Sequence, residues 1–148
     1  MKAKFYRCPI CGNVIVKLID GGQVPVCCNR TMQCLTPFTA SCESADGSNY
    51  YKAENCPSEA SPNRGTNEHH IPVVEEMGSG NYRVCVGKDS HPMSKEHHIA
   101  FIVALTKHGA TVRMLSNEEP PCAQFHLDEP PLAFYAYCNV HGLWMKEL

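Results

Sequence analysis

The pair Cys138 and His141, three residues apart in the sequence Cys-Asn-Val-His-Gly, constrains the fold of this chain more than any other feature. The pair follows an apolar stretch and lies on a tight turn, so a thiolate and an imidazole donor are presented together. Three more histidines lie where apolar stretches begin or end: His70, His91 and His97. A lone histidine is usually a surface or core residue. Three that can converge on a Cys-x-x-His turn predict a metal site built from loops on a rigid scaffold.

The first 28 residues hold a second set of donors, a Cys-x-x-Cys knuckle and an adjacent cysteine pair: Cys8, Cys11, Cys27 and Cys28. We expect Gly21-Gly22 to return the chain as a hairpin that pairs residues 14–19 with residues 24–28. Four thiolates suit one tetrahedral zinc or iron ion. Because neighbouring side chains on a regular strand point apart, two adjacent ligands require a distorted backbone there. The alternative is a zinc knuckle that only folds the segment.

Composition favours metal as the reason for so many soft donors. The 148-residue chain has ten cysteines and eight histidines and is 43% hydrophobic and 19% charged, which is typical of a globular protein. The first residues lack the apolar core of a signal peptide, and no apolar run is long enough to span a bilayer, so we expect a cytoplasmic protein. Cysteines in that compartment need a reason other than disulfides. A net charge of -2 predicts no basic face, and hence neither a nucleic-acid nor a membrane partner.

Residues 29–67 are predicted to be a boundary region, with a linker or insertion over residues 38–67. Turn-forming residues cluster at 46–49 and 58–65. Three further cysteines have spacings that match no metal motif: Cys34, Cys42 and Cys56. We interpret them as reduced thiols, with a third metal site or a redox disulfide as the alternative.

The chain from residue 68 alternates short apolar segments with turns. This pattern predicts strands over residues 71–77, 82–86, 98–106, 111–115, 122–127 and 132–137, and no long amphipathic helix. Repeated short strands with turn signals are typical of an antiparallel β-sandwich. The predicted organisation is therefore mostly β: a small metal module over residues 1–37, the linker over 38–67, and a sandwich over 68–148.

Motifs at both ends of the chain resemble the desulfoferrodoxin and superoxide reductase family. Residues 1–28 look like desulforedoxin, a small iron protein with the same four cysteines. Residues 68–72, Glu-His-His-Ile-Pro, match the family's Glu-Lys-His-x-Pro except at the lysine. Residues 91–97 match its His-Pro-Met followed by a histidine, and residues 138–142 match its Cys-Asn-x-His-Gly. The resemblance covers nearly everything except residues 29–67.

The resemblance implies an immunoglobulin-like β-sandwich that holds one catalytic iron. Its equatorial ligands would be four histidines, with one axial cysteine: His70, His91, His97, His141 and Cys138. The implied reaction is one-electron reduction of superoxide to hydrogen peroxide, with re-reduction by an external, rubredoxin-like electron donor. A second ion, iron or zinc, would bind the four-cysteine site, and desulforedoxin modules favour homodimers.

The family also implies two positions beside the catalytic iron, and this chain offers one further candidate. Its glutamate, here Glu68, can occupy the open coordination position in the oxidised state. Its lysine attracts the anion and helps to deliver a proton, but this chain has His69 there. Lys95, in the loop between two predicted ligands, is a possible substitute. For both of the latter, a solvated side chain is the alternative.

Two other classes of function stay open from the sequence. One is a non-enzymatic electron carrier or metal-binding protein that uses the thiolate-ligated iron with a closed second site. The other is a structural protein with zinc at both sites, which would be colourless because zinc is d10.

Overall fold

The computed structural model describes residues 3–40 and 67–148, with side chains described from residue 69 onwards in the second range. The chain divides into two units, Met1–Thr36 and Pro37–Leu148. The strands of the first unit are β1 (Lys4–Arg7), β2 (Val14–Lys17), β3 (Val26–Cys27), β4 (Arg30–Thr31) and β5 (Gln33–Leu35). The second unit begins with one helical turn, α1 (Asn67–His70), among its described elements. Its strands are β6 (Pro72–Gly78), β7 (Asn81–Val86), β8 (Ile99–Thr106), β9 (Ala110–Met114), β10 (Cys122–His126), β11 (Pro131–Cys138) and β12 (Gly142–Glu147).

The first unit is a three-stranded antiparallel sheet in the order β2-β1-β5, with a separate pair of short strands, β3 and β4. The predicted hairpin across Gly21-Gly22 is wrong, because β2 pairs with β1 and β3 pairs with β4. The physical reason is the cysteine knuckle between β1 and β2. There the Cys8 N–H donates to the Asn13 carbonyl at 2.8 Å, which reverses the chain within a few residues. One edge of β2 is therefore paired with β1, and after the glycines the chain forms the separate pair of β3 and β4 instead of adding to the other edge.

The second unit is a sandwich of two antiparallel sheets, in the orders β10-β7-β6 and β12-β11-β8-β9. The mostly β fold and the six strands predicted from residue 71 onwards are confirmed. The last strand, β12, was missed because Gly142 follows the predicted ligand turn directly and Leu143 and Trp144 are both buried rather than alternating. Phe38 forms an isolated parallel bridge with Trp144, so the first residues of the predicted linker belong to this unit.

Side chains alternate between the two faces of each strand, and those on the inner faces form the core of the sandwich. Val84 and Val86 of β7 pack with Phe125 of β10, and across the sandwich they meet Ile102 of β8 and Phe134 of β11. All five side chains are at most 2% exposed. Burying side chains of this size stabilises a fold by about 1.5–3 kcal/mol each. This rigid core fixes the ends of the strands, and the site is built on those ends.

One end of the sandwich collects the segments that carry the predicted donors. Within each sheet the strands are antiparallel, so the start of β6 lies beside the end of β7, and the starts of β8 and β12 lie beside the end of β11. His70 precedes β6, and Cys138 ends β11. Within the described part of the chain, no helix has the length and apolar character needed to cross a membrane.

Candidate metal centres

Five donors converge at that end of the sandwich: His70, His91, His97, Cys138 and His141. Their donor atoms all lie within 4.8 Å of one another. Each comes from a different position in the strand scheme, namely α1, the segment after β7, the segment before β8, the end of β11 and the turn before β12. The structure thus brings together all five residues that the sequence predicted for this site.

The four imidazole rings form a closed cycle in which each ring meets two neighbours edge to face. Ring centroids along the cycle His70, His91, His97, His141 are 4.6–4.8 Å apart, with interplanar angles of 74–88°. His70 Nε2 lies 3.0 Å from His141 Nδ1 and 3.2 Å from His91 Nε2. Donors about 2.1 Å from one ion and at right angles to each other would be about 3.0 Å apart. These two nitrogen spacings therefore fit imidazoles that would bind a single ion.

Contacts behind the rings fix their orientation. His91 Nδ1 lies 2.6 Å from the Pro92 carbonyl, so this nitrogen donates a proton and leaves Nε2 with its lone pair toward the cluster. His97 Nε2 is buried and has no hydrogen-bond partner among the described residues, as expected for a donor that awaits an ion. The His70 ring stacks on the fully buried Trp144 ring, with centroids 4.6 Å apart. The imidazoles are thus held in place by the protein.

Burial sets the protonation of these donors. It lowers the pKa of His91 to about 4, and it also lowers the pKa values of His97 and His141. These three imidazoles are therefore neutral near pH 7, as metal binding requires. Burial raises the pKa of the Cys138 thiol, against N–H groups that lower it, and the His141 N–H lies 3.3 Å from its sulfur. A cation is what would favour the thiolate in this buried position.

Asn139 ties the Cys138 turn to the loop that carries His97. Its side-chain Oδ1 accepts from the His98 N–H at 2.8 Å, and its Nδ2 donates to the Glu96 carbonyl at 3.0 Å. Its own N–H donates to the His98 carbonyl at 3.2 Å. The sequence indicated Asn139 only as part of a motif, although asparagine side chains commonly form hydrogen bonds with nearby backbone groups.

The end of β7 supports the other two histidine segments. The His91 N–H donates to the Val86 carbonyl at 3.2 Å, and the Gly87 N–H donates to the Ile71 carbonyl at 3.1 Å. Gly87 has a φ of +85°, and a Cβ there would lie 2.7 Å from the His69 carbonyl carbon and oxygen. Only glycine allows the chain to pass this close to the segment that carries His70.

The three residues predicted to act beside the ion are placed less completely. Glu68 lies in α1, and its side chain is outside the described residues. His69 is exposed next to His70, and Lys95 is exposed in the loop between His91 and His97. Both are near the site in sequence, and their roles stay predictions.

The four cysteines of the first unit form the second group: Cys8, Cys11, Cys27 and Cys28. Cys11 and Cys27 sulfurs are 3.6 Å apart, and Cys27 and Cys28 sulfurs are 3.9 Å apart. Sulfurs bound at about 2.3 Å around one tetrahedral ion lie about 3.8 Å from each other, so the set fits a single ion. The distorted backbone predicted at the adjacent pair is confirmed, because Cys28 and the next residue have φ values of +52° and +57°.

Backbone hydrogen bonds lower the pKa of one of these thiols, and neighbouring thiols raise the pKa values of two others. The N–H groups of Cys11 and Ile10 point at the Cys8 sulfur and lower its pKa to about 6. Neighbouring thiols, Cys11 first, raise the pKa of Cys28 to about 12 and also raise that of Cys27. Four sulfurs this close cannot all ionise without a cation to compensate their charge.

One cysteine pair departs from the expectation that the cysteines have a reason other than disulfides. Cys85 of β7 and Cys122 of β10 are joined, with their Cα atoms 4.0 Å apart. The two are 37 residues apart in sequence, and only the antiparallel register places them opposite each other. Cys34 is free and exposed, whereas Cys42 and Cys56 lie outside the described residues.

The sandwich and the four-histidine, one-cysteine group define a class of protein, a β-sandwich whose donors fit a single metal ion, here preceded by a four-cysteine unit. Family comparison agrees, because the Desulfoferrodoxin family model matches residues 63–147 and the model of the desulfoferrodoxin N-terminal domain matches residues 1–35. The chain belongs to the desulfoferrodoxin family.

Individual relatives match the whole chain or its second half. The desulfoferrodoxin of Syntrophotalea carbinolica is 32% identical over 146 residues, covering 99% of this chain and 97% of that protein. The superoxide reductase of Pyrococcus abyssi is 34% identical over 104 residues, 55% of this chain and 86% of that protein. The crystal structure of the superoxide reductase from Treponema pallidum has the same fold. Its TM-score is 0.71 at 23% identity, over 99% of this chain and 98% of that one.

Proposed function

We propose that this protein is a superoxide reductase, which reduces superoxide by one electron to hydrogen peroxide at a mononuclear iron. The observation that carries the proposal is the closed cycle of four imidazoles beside one buried thiol. A relative named superoxide reductase and the family assignment support the same activity. Ferrous iron, when bound, would supply the electron that reduces superoxide.

The chain's own residues prepare that chemistry in three ways. Four neutral imidazoles add no charge to the site and so favour the reduced ion, while the Cys138 thiolate is the one anionic donor and adds electron density. The His141 N–H, 3.3 Å from the Cys138 sulfur, stabilises the thiolate form. The rings and the stacked Trp144 exclude water from the buried side of the site, since both His70 and Trp144 are at most 2% exposed.

We assign His69 and Lys95 the task of attracting the substrate. Superoxide is a small anion, and a positive group near the site raises its local concentration. Both side chains are exposed and flank ligand histidines in the sequence. Glu68, from the helical turn that carries His70, is the proposed carboxylate that approaches the oxidised ion. A complete turnover consumes two protons per superoxide and one electron from an external, rubredoxin-like donor.

We assign the four-cysteine site to a second iron, with zinc as the alternative ion, and a role in electron transfer or assembly. Cys11 and Cys28 are exposed, so this site is open to a partner. Large apolar side chains of the same unit are also exposed, Leu18 at 83% and Ile19 at 88%. Such a surface supports a homodimer through this unit.

Product stoichiometry tests the proposed activity. The fully reduced, iron-loaded protein should consume superoxide in pulse radiolysis and give one hydrogen peroxide per superoxide with no dioxygen. A dismutase would release one dioxygen for every two superoxide ions, and an electron carrier with a closed site would show no fast bimolecular step. Either result would contradict the proposal.

Variants that change the charge at His69 and Lys95 test whether these residues attract the substrate. Lys95→Gln should slow the second-order rate at low ionic strength and flatten its salt dependence, since the Debye length falls from about 10 Å at 0.1 M to about 3 Å at 1 M. His69→Lys should raise the rate at low salt by supplying a fixed charge. Unchanged rates in both variants would remove these residues from the substrate path.

A further inference from the structure

The Cys85–Cys122 disulfide lies next to the attachment of two histidine segments. Cys85 precedes Val86, whose carbonyl accepts from the His91 N–H at 3.2 Å. Gly87 follows, and its N–H donates to the Ile71 carbonyl beside His70. The bond therefore joins β10 to the part of β7 that holds half of the histidine cycle.

The backbone register explains how the two sulfurs meet. The Val86 N–H donates to the Pro121 carbonyl at 2.8 Å, and Cys85 lies opposite Cys122 in the ladder. This pattern makes the two cysteines a non-hydrogen-bonded pair, the position where antiparallel strands bring side chains closest. The thiols are thus held side by side by the sheet whether or not they are joined.

The two cysteines lie on the outer face of the sheet and are half-buried. Val84, Val86 and Ala123 point into the core, and the alternating Cys85 and Cys122 point away from it, each at intermediate exposure. Disulfides that reagents can reach are the ones that exchange, whereas core disulfides are inert. A paired, accessible position beside a metal site is therefore suited to reversible oxidation.

We propose that Cys85 and Cys122 are a reversible thiol–disulfide pair that hydrogen peroxide oxidises, and that the oxidised form holds the His70 and His91 side of the metal site in place. The identity of the oxidant rests on the proposed function, whose product is hydrogen peroxide. The oxidation state of the pair would then depend on how much hydrogen peroxide has accumulated near the metal site.

The oxidation balances without another reactant. One thiol, deprotonated to the thiolate, attacks the peroxide O–O bond; the hydroxide that leaves takes up the released proton as water, and the product is a sulfenic acid. The second thiol then condenses with it, forming the S–S bond and releasing a second water. In total, two S–H bonds and one O–O bond break, and two electrons pass from sulfur to oxygen. Re-reduction takes two electrons and two protons from an external dithiol, which itself becomes a disulfide.

The first measurement follows the pair in the full-length, iron-loaded protein. Samples are equilibrated without oxygen against a series of reduced and oxidised dithiothreitol mixtures, alkylated, and mapped by mass spectrometry at Cys85 and Cys122. We expect one two-electron transition in protein that stays folded. Once dithiothreitol is removed and the iron is ferric, one equivalent of hydrogen peroxide should restore the disulfide. A pair that is reduced only on unfolding, or that peroxide does not oxidise, would overturn the proposal.

The second measurement is the rate at which a chelator removes the iron of the histidine site. Loss of support behind metal ligands weakens binding by about 10–100-fold, so we expect at least about tenfold faster loss from the reduced than from the oxidised protein. A Cys85→Ser, Cys122→Ser double variant should lose iron at the rate of the reduced protein, and dithiothreitol should not change that rate. Cys34→Ser, which removes an exposed free thiol of the first unit, should behave as wild type.

Equal rates of iron loss from reduced and oxidised wild type would overturn the role of the disulfide. That comparison needs no variant, so it decides the question even if the double variant does not fold. Neither measurement uses superoxide, and the peroxide is added as a reagent. Absence of superoxide reduction would therefore refute the proposed function and leave the behaviour of the cysteine pair to be read separately.

Discussion

Replacing Gly87 with alanine should damage the metal site through the backbone alone. Gly87 has a φ of +85°, and holding an alanine in that region costs about 1–2 kcal/mol. The new Cβ would also lie 2.5 Å from the Asp89 carbonyl oxygen and 2.7 Å from the His69 carbonyl group. Forcing backbone apart in a packed structure adds about 1–3 kcal/mol. The expected total loss in unfolding free energy is therefore about 2–5 kcal/mol.

Gly78 and Gly109 are the matched controls. Gly78 has a φ of +87° with nothing within 4 Å of a Cβ, so Gly78→Ala should cost only the conformational term of about 1–2 kcal/mol. Gly109→Ala, without a positive φ and with its nearest contact at 3.8 Å, should cost less than either. Urea unfolding of the iron-loaded proteins measures all three.

The steric clash in Gly87→Ala should also weaken metal binding at the histidine site. Because the alanine pushes on the residue before His70, Gly87→Ala should release iron to a chelator faster, while Gly78→Ala should not. If Gly87→Ala were no less stable than Gly78→Ala and kept its iron equally well, the close approach of β7 to the His70 segment would not be what positions that ligand.

Three further predictions concern other parts of the chain. Cys11→Ser should disturb the four-cysteine site yet leave fast superoxide reduction intact, as pulse radiolysis on protein with its histidine site loaded would show; loss of that step would mean that the two ions must cooperate. Asn139→Ala removes two side-chain hydrogen bonds and should lower the unfolding free energy by about 1–3 kcal/mol and broaden the spectrum of the histidine site, whereas an unaltered spectrum would limit Asn139 to the fold. Hydrogen bonds from Thr106 and His108 lower the pKa of Glu129 to about 2 from 4.5. A carboxyl group with a lowered pKa in the folded state stabilises the fold at pH values above its ordinary pKa, and this stabilisation is lost as the pH falls toward the pKa of the folded state. The difference in unfolding free energy between wild type and Glu129→Gln should therefore be larger at pH 6 than at pH 4. An equal gap at both pH values in denaturant unfolding would contradict this.

The site could be predicted from the sequence because its donors are chemically distinctive and lie in short motifs. Cys138 and His141 fix a turn by themselves, and His91 and His97 share one loop. The antiparallel strands also followed from local alternation. Register could not be predicted in the same way, since it depends on pairing between distant segments, and for that reason the Cys85–Cys122 contact was not foreseen.

Two errors have local physical causes. The Gly21-Gly22 turn looked like a hairpin because glycine pairs often form one, but the cysteine knuckle had already reversed the chain and paired β2 with β1. The strand β12 was not seen because consecutive buried residues, Leu143 and Trp144, break the alternation expected of a strand with one buried face.

We propose that four histidines and Cys138 hold one iron, and the visible spectrum together with metal analysis tests this assignment. The oxidised protein should contain iron and show a thiolate-to-iron charge-transfer band at longer wavelength than the ferric tetrathiolate spectrum of the four-cysteine site. Cys138→Ser should abolish that band and most of the reductase activity while the tetrathiolate spectrum remains. A Cys138→Ser protein that keeps the band and full activity, or a colourless wild type with zinc at both sites, would contradict the account.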